Sequence, residues 1–179
     1  MKELSLHILD IVQNSIKAKA KNIGIEIDED QKNDRLTITV TDDGTGMSEE
    51  FLARVRDPFT TTRTTRKTGM GISLFEAAAM QTGGGLDIQS ELGVGTTLTV
   101  WFGLNNIDRA PLGDMAATMV TIIGGAPDID YIYKHTTGKG EFVLDTRELR
   151  GVLGDVPFDV PDVLDWINGY IEEGIAEIS

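Results

Sequence analysis

Within the first forty positions of the chain, the spacing of apolar residues changes from three or four residues to two. An alternation of apolar and polar residues runs from Ile23 to Ile27 and again from Leu36 to Val40, on either side of a polar segment at 28–34. This alternation predicts an antiparallel hairpin whose second strand ends at Asp42. A spacing of three to four residues, typical of an amphipathic helix, occurs before it, at Leu4, Ile8, Ile11, Val12 and Ile16.

The same kind of pattern continues to residue 104. Ser48 precedes a short apolar run and predicts a capped helix. Gly69-Met70-Gly71 opens a second apolar helix, which Gly83-Gly84-Gly85 ends, and two further strands follow. We therefore predict an α/β fold: a two-layer sandwich with a mixed, mainly antiparallel sheet and helices on one face.

Beyond residue 104 the pattern predicts a small α+β module. A helix is expected after Pro111, through Met115, Met119 and Ile122 to Gly124-Gly125. A hairpin about residues 137–140 and a short helix at 147–153 should follow. His135 has no matching set of metal ligands nearby in the sequence, and we interpret it as an ordinary loop histidine. Pro161 opens the last helix, with a predicted buried stripe of Leu164, Ile167, Tyr170 and Ile171.

Composition limits the classes of protein that this chain can belong to. With 179 residues, 40% of them hydrophobic, it can form a sizeable core. It has no apolar run of membrane-spanning length, and Glu3 and His7 interrupt the region where a signal peptide needs an apolar core. The absence of cysteine excludes disulfides and thiolate metal sites and suits a reducing compartment. We expect a cytoplasmic protein without a membrane partner.

The net charge of -13 argues against a nucleic-acid partner. The charge is uneven: residues 1–104 carry 11 Lys and Arg against 15 Asp and Glu, whereas residues 105–179 carry 5 against 14. This shift predicts a division into a main domain, 1–104, and an acidic module, 105–179. We expect the module to be an interaction surface for a protein partner or for a homodimer.

The segment from Asp42 to Met47 is the main candidate for chemistry. A carboxylate at the end of a strand, followed by Gly44 and Gly46, supplies a fixed hydrogen-bond acceptor beside a backbone that a flat ligand can approach. This arrangement indicates a pocket for a nucleotide base. The plainer alternative is a solvated Asp-Gly turn that closes a hairpin.

Polar groups on the first predicted helix form a second candidate. At about 100° per residue, Asp10 and Asn14 lie one turn apart on the same side, and His7 and Lys17 fall close to that side. An ordinary solvated helix face would show the same spacing.

A third candidate is the hydroxyl-rich segment 57–68, which carries three cations and lacks periodicity. Such a segment can be ordered by an anion, although a flexible loop whose charges keep the chain soluble is the alternative. It leads into Gly69-Met70-Gly71, and exposed amides at the start of a helix bind phosphate.

Several familiar sites are excluded by their own spacing requirements. An EF-hand with Gly44 at its sixth position would place Thr39 and Thr41 where carboxylates belong. No Walker A sequence occurs, and the glycine pairs do not form a dinucleotide fingerprint. Two histidines without cysteine make a catalytic zinc site improbable.

Taken together, these stretches resemble, in order and spacing, the ATP-binding domain of the GHKL superfamily, which includes gyrase, heat-shock chaperone, histidine kinase and mismatch-repair ATPases and has the Bergerat fold. The resemblance covers residues 4–104. The similar stretches are Asp10-x-x-x-Asn14 with Lys17 for the N box, Asp42-x-Gly44-x-Gly46 for the G1 box, Pro58-Phe59 for the F box, Gly69-x-Gly71 for the G2 box, and Gly95-Thr96 for the last turn of the adenine pocket.

The resemblance implies that ATP, or ADP, and Mg²⁺ are the cofactors. Asp42 would accept a hydrogen bond from the adenine amino group, which selects ATP over GTP. Asn14 would supply an oxygen ligand to Mg²⁺, Lys17 would neutralise phosphate charge, and Thr60 to Lys67 would form a lid over the phosphates. The remaining implied nucleotide contacts are Ala18, Gly44, Gly46, Met47, Phe59, Thr60, Thr61, Thr62, Arg63, Lys67, Thr68, Gly69, Met70, Gly71, Ile72 and Thr96.

Two departures from the family pattern shape the expected activity. Members that hydrolyse ATP usually carry Glu where Asp10 stands, and Asp is one methylene shorter. Histidine kinases carry a helical hairpin with the phosphorylated histidine before this domain, and His7 does not resemble that motif. The resemblance therefore predicts an ATP-dependent protein kinase that acts in trans on a separate partner. The alternatives are a slow ATPase switch and a nucleotide-sensing module without chemistry.

Overall fold

The computed structural model describes residues 2–55 and 66–179, apart from the side chains of residues 66–70. Six strands and six helices are found in these residues. In chain order they are α1 (Leu4–Lys17), β1 (Asn22–Asp30), β2 (Arg35–Asp42), α2 (Glu49–Val55), α3 (Arg66–Met80), β3 (Gly85–Glu91), β4 (Gly95–Gly103), α4 (Met115–Gly125), β5 (Asp130–Thr137), β6 (Gly140–Asp145), α5 (Thr146–Leu153) and α6 (Pro161–Ile178).

All six strands join one mixed sheet in the order β3-β4-β2-β1-β5-β6. Neighbouring strands are antiparallel except β1 and β5, which run parallel. The alternation at 23–27 and 36–40 forms the predicted hairpin, with Ile25 opposite Val40 and Ile27 opposite Ile38. The predicted mixed, mainly antiparallel α/β fold is therefore confirmed.

One face of the sheet is apolar from edge to edge because the buried positions of neighbouring strands are in register. Ile25 of β1 lies beside Val40 of β2 and Tyr133 of β5, and all three are at most 2% exposed. Helices α1, α3, α4 and α6 bury their apolar sides in the same core. The other face carries polar side chains, such as Glu26 and Asp28, and faces solvent.

Residues 105–179 contribute to this sheet and this core. Strand β5 extends the sheet from β1, and α4 packs against both α1 and α6. The N–H groups of Leu4 and Ser5 at the start of α1 donate to the carbonyls of Pro111 and Leu112, at 3.0 and 2.8 Å. Both predicted units thus share one sheet, and the division of the chain at residue 105 stays a prediction.

Side-chain caps define where several helices begin. Ser48 Oγ accepts a hydrogen bond from the Phe51 N–H at 3.1 Å, which confirms the predicted cap of α2. Asp114 accepts from the Ala117 N–H at 2.9 Å, so the helix predicted after Pro111 begins at Met115. No helix in the described part of the chain is long and apolar enough to cross a membrane.

One prediction for the C-terminal part is wrong and another is only partly confirmed. His135 is not a loop residue: it lies in β5 opposite Ile27, is 1% exposed, and contacts Tyr133 Oη at 2.9 Å and Glu29 Oε2 at 2.6 Å. On α6, Val163, Ile167 and Ile171 are buried at a spacing of four residues, and Ile178 is buried near the end of the helix. Ile167 and Ile171 of the predicted stripe are therefore confirmed, whereas Leu164 is only half-buried. Tyr170 stands at the edge of this stripe and is 40% exposed.

His7 also departs from its predicted place on the polar side of α1. It is 4% exposed, and its ring stacks on Phe75 of α3, with ring centroids 4.9 Å apart and planes within 4° of parallel. The approach of a second helix buries it, because His7 lies at the border of the apolar stripe where a neighbouring element decides exposure.

Candidate functional site

A cleft of about 240 Å³ opens between α1, the end of β2 and the β3–β4 hairpin. Apolar side chains from five elements form its walls, namely Ile11, Val40, Ile72, Ile88 and Leu98. Polar groups are few and stand at particular points of the lining: Asn14, Ser15, Lys17, Asp42 and Thr96. Apolar walls with a few placed polar groups are typical of a site for a small organic ligand.

Asp42 is held in a fixed orientation at the end of β2. Its Oδ2 accepts a hydrogen bond from Ser15 Oγ on α1 at 2.6 Å, and its Oδ1 accepts from the Gly44 N–H at 2.9 Å. Pairing of β2 with β4 places Thr96 directly opposite Asp42. Each carboxylate oxygen retains a lone pair for a further donor.

The two glycines after Asp42 are required by close backbone contacts. A Cβ atom at Gly44 would lie 2.8 Å from the carbonyl oxygen of Ala18, which already accepts from the Thr45 N–H at 2.8 Å. Gly46 has φ +72°, and a Cβ atom there would lie 2.1 Å from the Glu91 carbonyl oxygen. The loop can therefore pass between α1 and the β3–β4 turn only without side chains at these positions.

Ser90 connects this loop to Thr96. Its Oγ accepts from the Met47 N–H at 2.8 Å, donates to the Gly95 carbonyl at 3.1 Å, and lies 2.7 Å from Thr96 Oγ1. A hydroxyl has one hydrogen, so Thr96 is the donor in the last contact. The lone pairs of Thr96 are then available as acceptors in the cleft.

The polar residues of α1 stand at the mouth of the cleft. Asn14 is half-buried and Lys17 is exposed, and both line the opening. Asp10, one turn before Asn14, binds Lys2 Nζ at 2.5 Å through Oδ2, and both side chains are partly exposed. Gly71 of α3 lies beside Asp10, since a Cβ atom there would be 3.7 Å from Asp10 Cβ.

Part of the predicted site lies outside the described residues, namely Phe59, Thr60, Thr61, Thr62 and Arg63. The backbone of residues 67–70 belongs to α3, but their side chains are not described. Helix α3 begins at Arg66, whereas the sequence predicted a start at Gly69. An interior glycine costs a helix only about 1 kcal/mol, and arginine and lysine are good helix formers. Gly71 is consequently beyond the first four amides, which are the ones left unpaired.

Ser15 and Ser90 are site residues that the sequence interpretation did not identify. Ser15 was detectable, because it falls four residues after Ile11, on the apolar side of the predicted helix. A buried hydroxyl at such a position needs a hydrogen-bond partner. Ser90 carried no such signal, since its partners are Met47 in the loop after β2 and Gly95 and Thr96 at the start of β4.

A larger concavity, about 410 Å³, lies on the open face of the sheet around Gly24. Its lining includes Asp43, whose carboxylate accepts from the N–H groups of Lys21 and Asn22 and from Asn22 Nδ2. Partial desolvation raises the pKa of Asp43, but these hydrogen bonds outweigh it and hold the pKa below its ordinary value. The carboxylate of Asp43 thus stabilises the turn after β2. We place the candidate ligand site in the smaller cleft.

Within the described residues, no three histidine or carboxylate side chains are grouped so that they could hold a metal ion. Mg²⁺ bound to a nucleotide needs only one or two protein oxygens, because phosphate oxygens and water complete its shell. The side-chain oxygen of Asn14 at the cleft mouth fits that role.

Comparison with known proteins identifies the part of the chain that forms the cleft. The family model for histidine kinase-, DNA gyrase B-, and HSP90-like ATPases matches residues 2–106. The sensor histidine kinase ZraS of Escherichia coli (strain K12) is 28% identical over 106 residues, which is 59% of this chain and 23% of that protein. The histidine protein kinase DivJ of Caulobacter vibrioides is 34% identical over 97 residues, 52% of this chain and 16% of that protein. This chain therefore spans less than a quarter of either relative.

A solved structure shows a similar fold over more of the chain. The Aquifex aeolicus MutL ATPase domain, complexed with ADP, has a TM-score of 0.50 and 16% sequence identity, over 86% of this chain and 69% of that chain. That share is larger than residues 2–106, so the likeness in fold includes part of the segment after residue 106.

Proposed function

The chain belongs to the family of histidine kinase-, DNA gyrase B-, and HSP90-like ATPases, and from this membership we propose that it binds ATP with Mg²⁺ and phosphorylates a separate protein partner. The observation that carries the proposal is the carboxylate of Asp42, fixed by Ser15 and Gly44 in an apolar cleft. An acceptor in this setting is suited to a purine that presents an amino group.

Adenine fits the cleft better than guanine on chemical grounds. The adenine amino group donates to a carboxylate, whereas the carbonyl at the same position of guanine would face Asp42 with two acceptors in contact. Ile72 and Leu98 are among the apolar residues that would cover the ring. Thr96 offers a further acceptor beside Asp42.

The phosphates of the bound nucleotide would extend out of the cleft along α1. Asn14 would contribute its amide oxygen to Mg²⁺, and Lys17 would offset phosphate charge. The metal-bound triphosphate would then lie beside Asp10, where a carboxylate can accept the proton of an attacking hydroxyl or orient a water. In the structure Asp10 is bound to Lys2, so this role requires that contact to open.

Phosphoryl transfer to a protein is supported by relatives named histidine kinases. A second candidate is a slow ATPase that acts as a conformational switch. The likeness in fold to the MutL ATPase domain supports this second candidate. The third candidate is a module that senses nucleotide without catalysing a reaction.

ATP binding is tested with Asp42→Asn. We expect ATP affinity to fall roughly 10- to 100-fold, because a buried hydrogen bond that involves a charged acceptor is lost. Isothermal titration calorimetry with Mg²⁺ and ATP measures the change. Asp28→Asn is the matched control, since Asp28 is exposed on the other face of the sheet. Unchanged affinity of Asp42→Asn would show that the pocket is wrongly assigned.

The three activities are separated by incubation with γ-labelled ATP, Mg²⁺ and an extract of the source cells. Label on another protein supports the kinase, free phosphate supports the ATPase, and neither product supports the sensor. Asp10→Ala should abolish most of the transfer or phosphate release. Full activity of that variant would exclude Asp10 as a catalytic base.

A further inference from the structure

The second half of the chain has an exposed apolar groove that the proposed ATP site does not use. It lies between α5 and the start of α6 and has a volume of about 380 Å³. We call it the α5–α6 groove, and its lining is Leu149, Val152, Leu153, Asp162, Val163 and Trp166.

Large apolar side chains are unusually exposed at this groove. Val152 is 83% exposed, Trp166 is 53% exposed, and Tyr170 beside them is 40% exposed. The rings of Trp166 and Tyr170 stack, with centroids 5.1 Å apart and planes within 9° of parallel. A contiguous patch of this kind, bordered by polar residues, marks an interaction surface more often than a single exposed residue does.

The groove carries the carboxylate of Asp162, in a segment whose charged side chains are all acidic. Residues 151–179 contain no lysine or arginine, and they carry the carboxylates of Asp155, Asp159, Asp162, Asp165, Glu172, Glu173 and Glu177. Asp162 lines the groove, and Asp165 precedes the exposed Trp166. The ion pairs found in the described part of the chain do not include any of these carboxylates.

Arg150, which follows the groove residue Leu149 in the sequence, is engaged elsewhere. Arg150 of α5 donates to Asp130 Oδ1 at 2.6 Å and to the carbonyls of Pro127 and Ile129 at 2.8 and 3.1 Å. Its guanidinium also lies 4.3 Å from the ring centroid of Phe158. The groove therefore presents apolar contact area within an acidic segment of the chain.

We propose that the α5–α6 groove binds a basic amphipathic helix of a partner protein. The apolar side of such a helix would cover Val152 and Trp166, as helices in grooves do at recognition surfaces. Its lysine or arginine residues would face Asp162 and Asp165, and a cation could lie over the stacked rings of Trp166 and Tyr170.

Charge argues against other occupants. A symmetric dimer through this surface would bring the same carboxylates of two copies together, because a two-fold interface pairs a patch with itself. Anionic lipid surfaces and nucleic acids carry the same sign of charge as this segment. This proposal goes beyond the ATP site and does not depend on it, so it is tested without nucleotide.

The probe is a synthetic helical peptide of leucine and lysine, about 18 residues long so that it forms a stable helix. A peptide with glutamate in place of lysine is its counterpart. The full chain with Trp101→Phe has Trp166 as its one tryptophan. We expect saturable 1:1 binding of the lysine peptide, with a shift of Trp166 fluorescence, and no binding of the glutamate peptide.

Matched variants locate the binding. Val152→Ser and the pair Asp162→Asn with Asp165→Asn should each weaken the lysine peptide at least roughly tenfold. Ile107→Ser and Asp108→Asn are the controls, since both residues are exposed and neither lines the groove. These substitutions are at exposed positions, and circular dichroism verifies that each variant is folded.

Other results would overturn the proposal. The first is an equal loss of affinity for the lysine peptide in the control variants. The second is equal binding of the glutamate peptide, and the third is no binding of either peptide. Light scattering of the chain alone would identify a second copy as the occupant if Val152→Ser abolished self-association. Binding to vesicles of phosphatidylserine and phosphatidylcholine, lost in Val152→Ser, would identify a membrane.

Discussion

At the scale of single residues, the cleft depends on a hydroxyl from α1 that orients the carboxylate at the end of β2. Ser15 is 3% exposed and donates to Asp42 Oδ2 at 2.6 Å. Without this hydrogen bond the carboxylate keeps only the Gly44 N–H and gains rotational freedom. Ser15 therefore acts through Asp42 and is a positioning residue.

Ser15→Ala should weaken ATP binding roughly fivefold, in line with the loss of one hydrogen bond of about 1 kcal/mol. Calorimetry should show a smaller effect when Asp42 is already asparagine, because the two side chains act as a pair. Ser5→Ala, another buried serine of α1, serves as the control. If Ser15→Ala lowered ATP affinity equally in the presence and absence of Asp42→Asn, Ser15 would have only a general structural role.

His7 is a second residue whose behaviour follows from its surroundings. Burial, and to a smaller extent the nearby charge of Lys2, lower the pKa of His7 to about 4, although Asp10 acts in the opposite direction. Within the described residues, Nδ1 of this ring has no hydrogen-bond partner. His7 is therefore neutral in the folded chain at pH 5, whereas in the unfolded chain it takes up a proton near its ordinary pKa of about 6.5.

This difference predicts a pH dependence that His7→Phe should remove. Between pH 6.5 and 4 the unfolded state binds more protons, so acidification lowers the free energy of unfolding by up to about 3 kcal/mol. The phenylalanine variant keeps an aromatic ring on Phe75 but does not titrate. Urea unfolding at pH 8 and pH 4.5 should show a smaller loss for the variant than for the wild type. Equal losses would contradict a buried neutral His7.

At the scale of elements, α6 packs closely on the sheet because Gly174 lies against the ring of Phe142. A Cβ atom at Gly174 would lie 2.0 Å from Phe142 Cδ1 of β6. Phe142 packs between Tyr133 and Tyr170, with ring centroids 6.1 and 5.3 Å away, so its ring has little room to move. Gly169 on the same helix has no heavy atom within 4 Å of such a Cβ position.

Gly174→Ala and Gly169→Ala should therefore have opposite effects on stability. The first should lower the free energy of unfolding by about 1–3 kcal/mol through overpacking. The second should raise it by up to about 1 kcal/mol, because alanine favours a helix more than glycine does. Thermal unfolding of the two variants measures both changes. Stabilisation by Gly174→Ala would mean that α6 does not approach β6 so closely.

At the scale of the whole molecule, the two charge-distinct parts of the chain depend on each other through the sheet. Residues Asn22 to Asp28 of β1 pair with β5, and α4 packs against α1, which carries Asn14, Ser15 and Lys17 of the candidate cleft. Removing residues 105–179 would leave β1 as an unpaired edge and expose part of the core.

A chain of residues 1–104 should accordingly be less stable than the full chain and should aggregate. Its smaller core and its new strand edge both favour association. Light scattering and thermal unfolding at matched concentration measure these effects against the full chain. A monodisperse fragment with an unchanged melting temperature would show that residues 105–179 contribute nothing to the core.

Much of this molecule was predictable from the sequence because the signals are local. The alternation at Ile23 to Ile27 determines which side of β1 is buried, and the three-to-four spacing from Leu4 to Ile16 determines α1. Such periodicities arise from the geometry of a single helix or strand and need no knowledge of its neighbours. The order of the carboxylate and glycine motifs likewise identified the family that the comparison with known proteins shows.

Only the tertiary structure decided how these elements combine. The burial of His7 depends on Phe75, that of His135 on pairing of β5 with β1, and the orientation of Asp42 on Ser15, 27 residues away in sequence. Each of these contacts joins elements that are distant along the chain, and periodicity within one element carries no information about its partner. The sequence therefore determined which groups could form the cleft, and long-range packing decided how they are oriented in it.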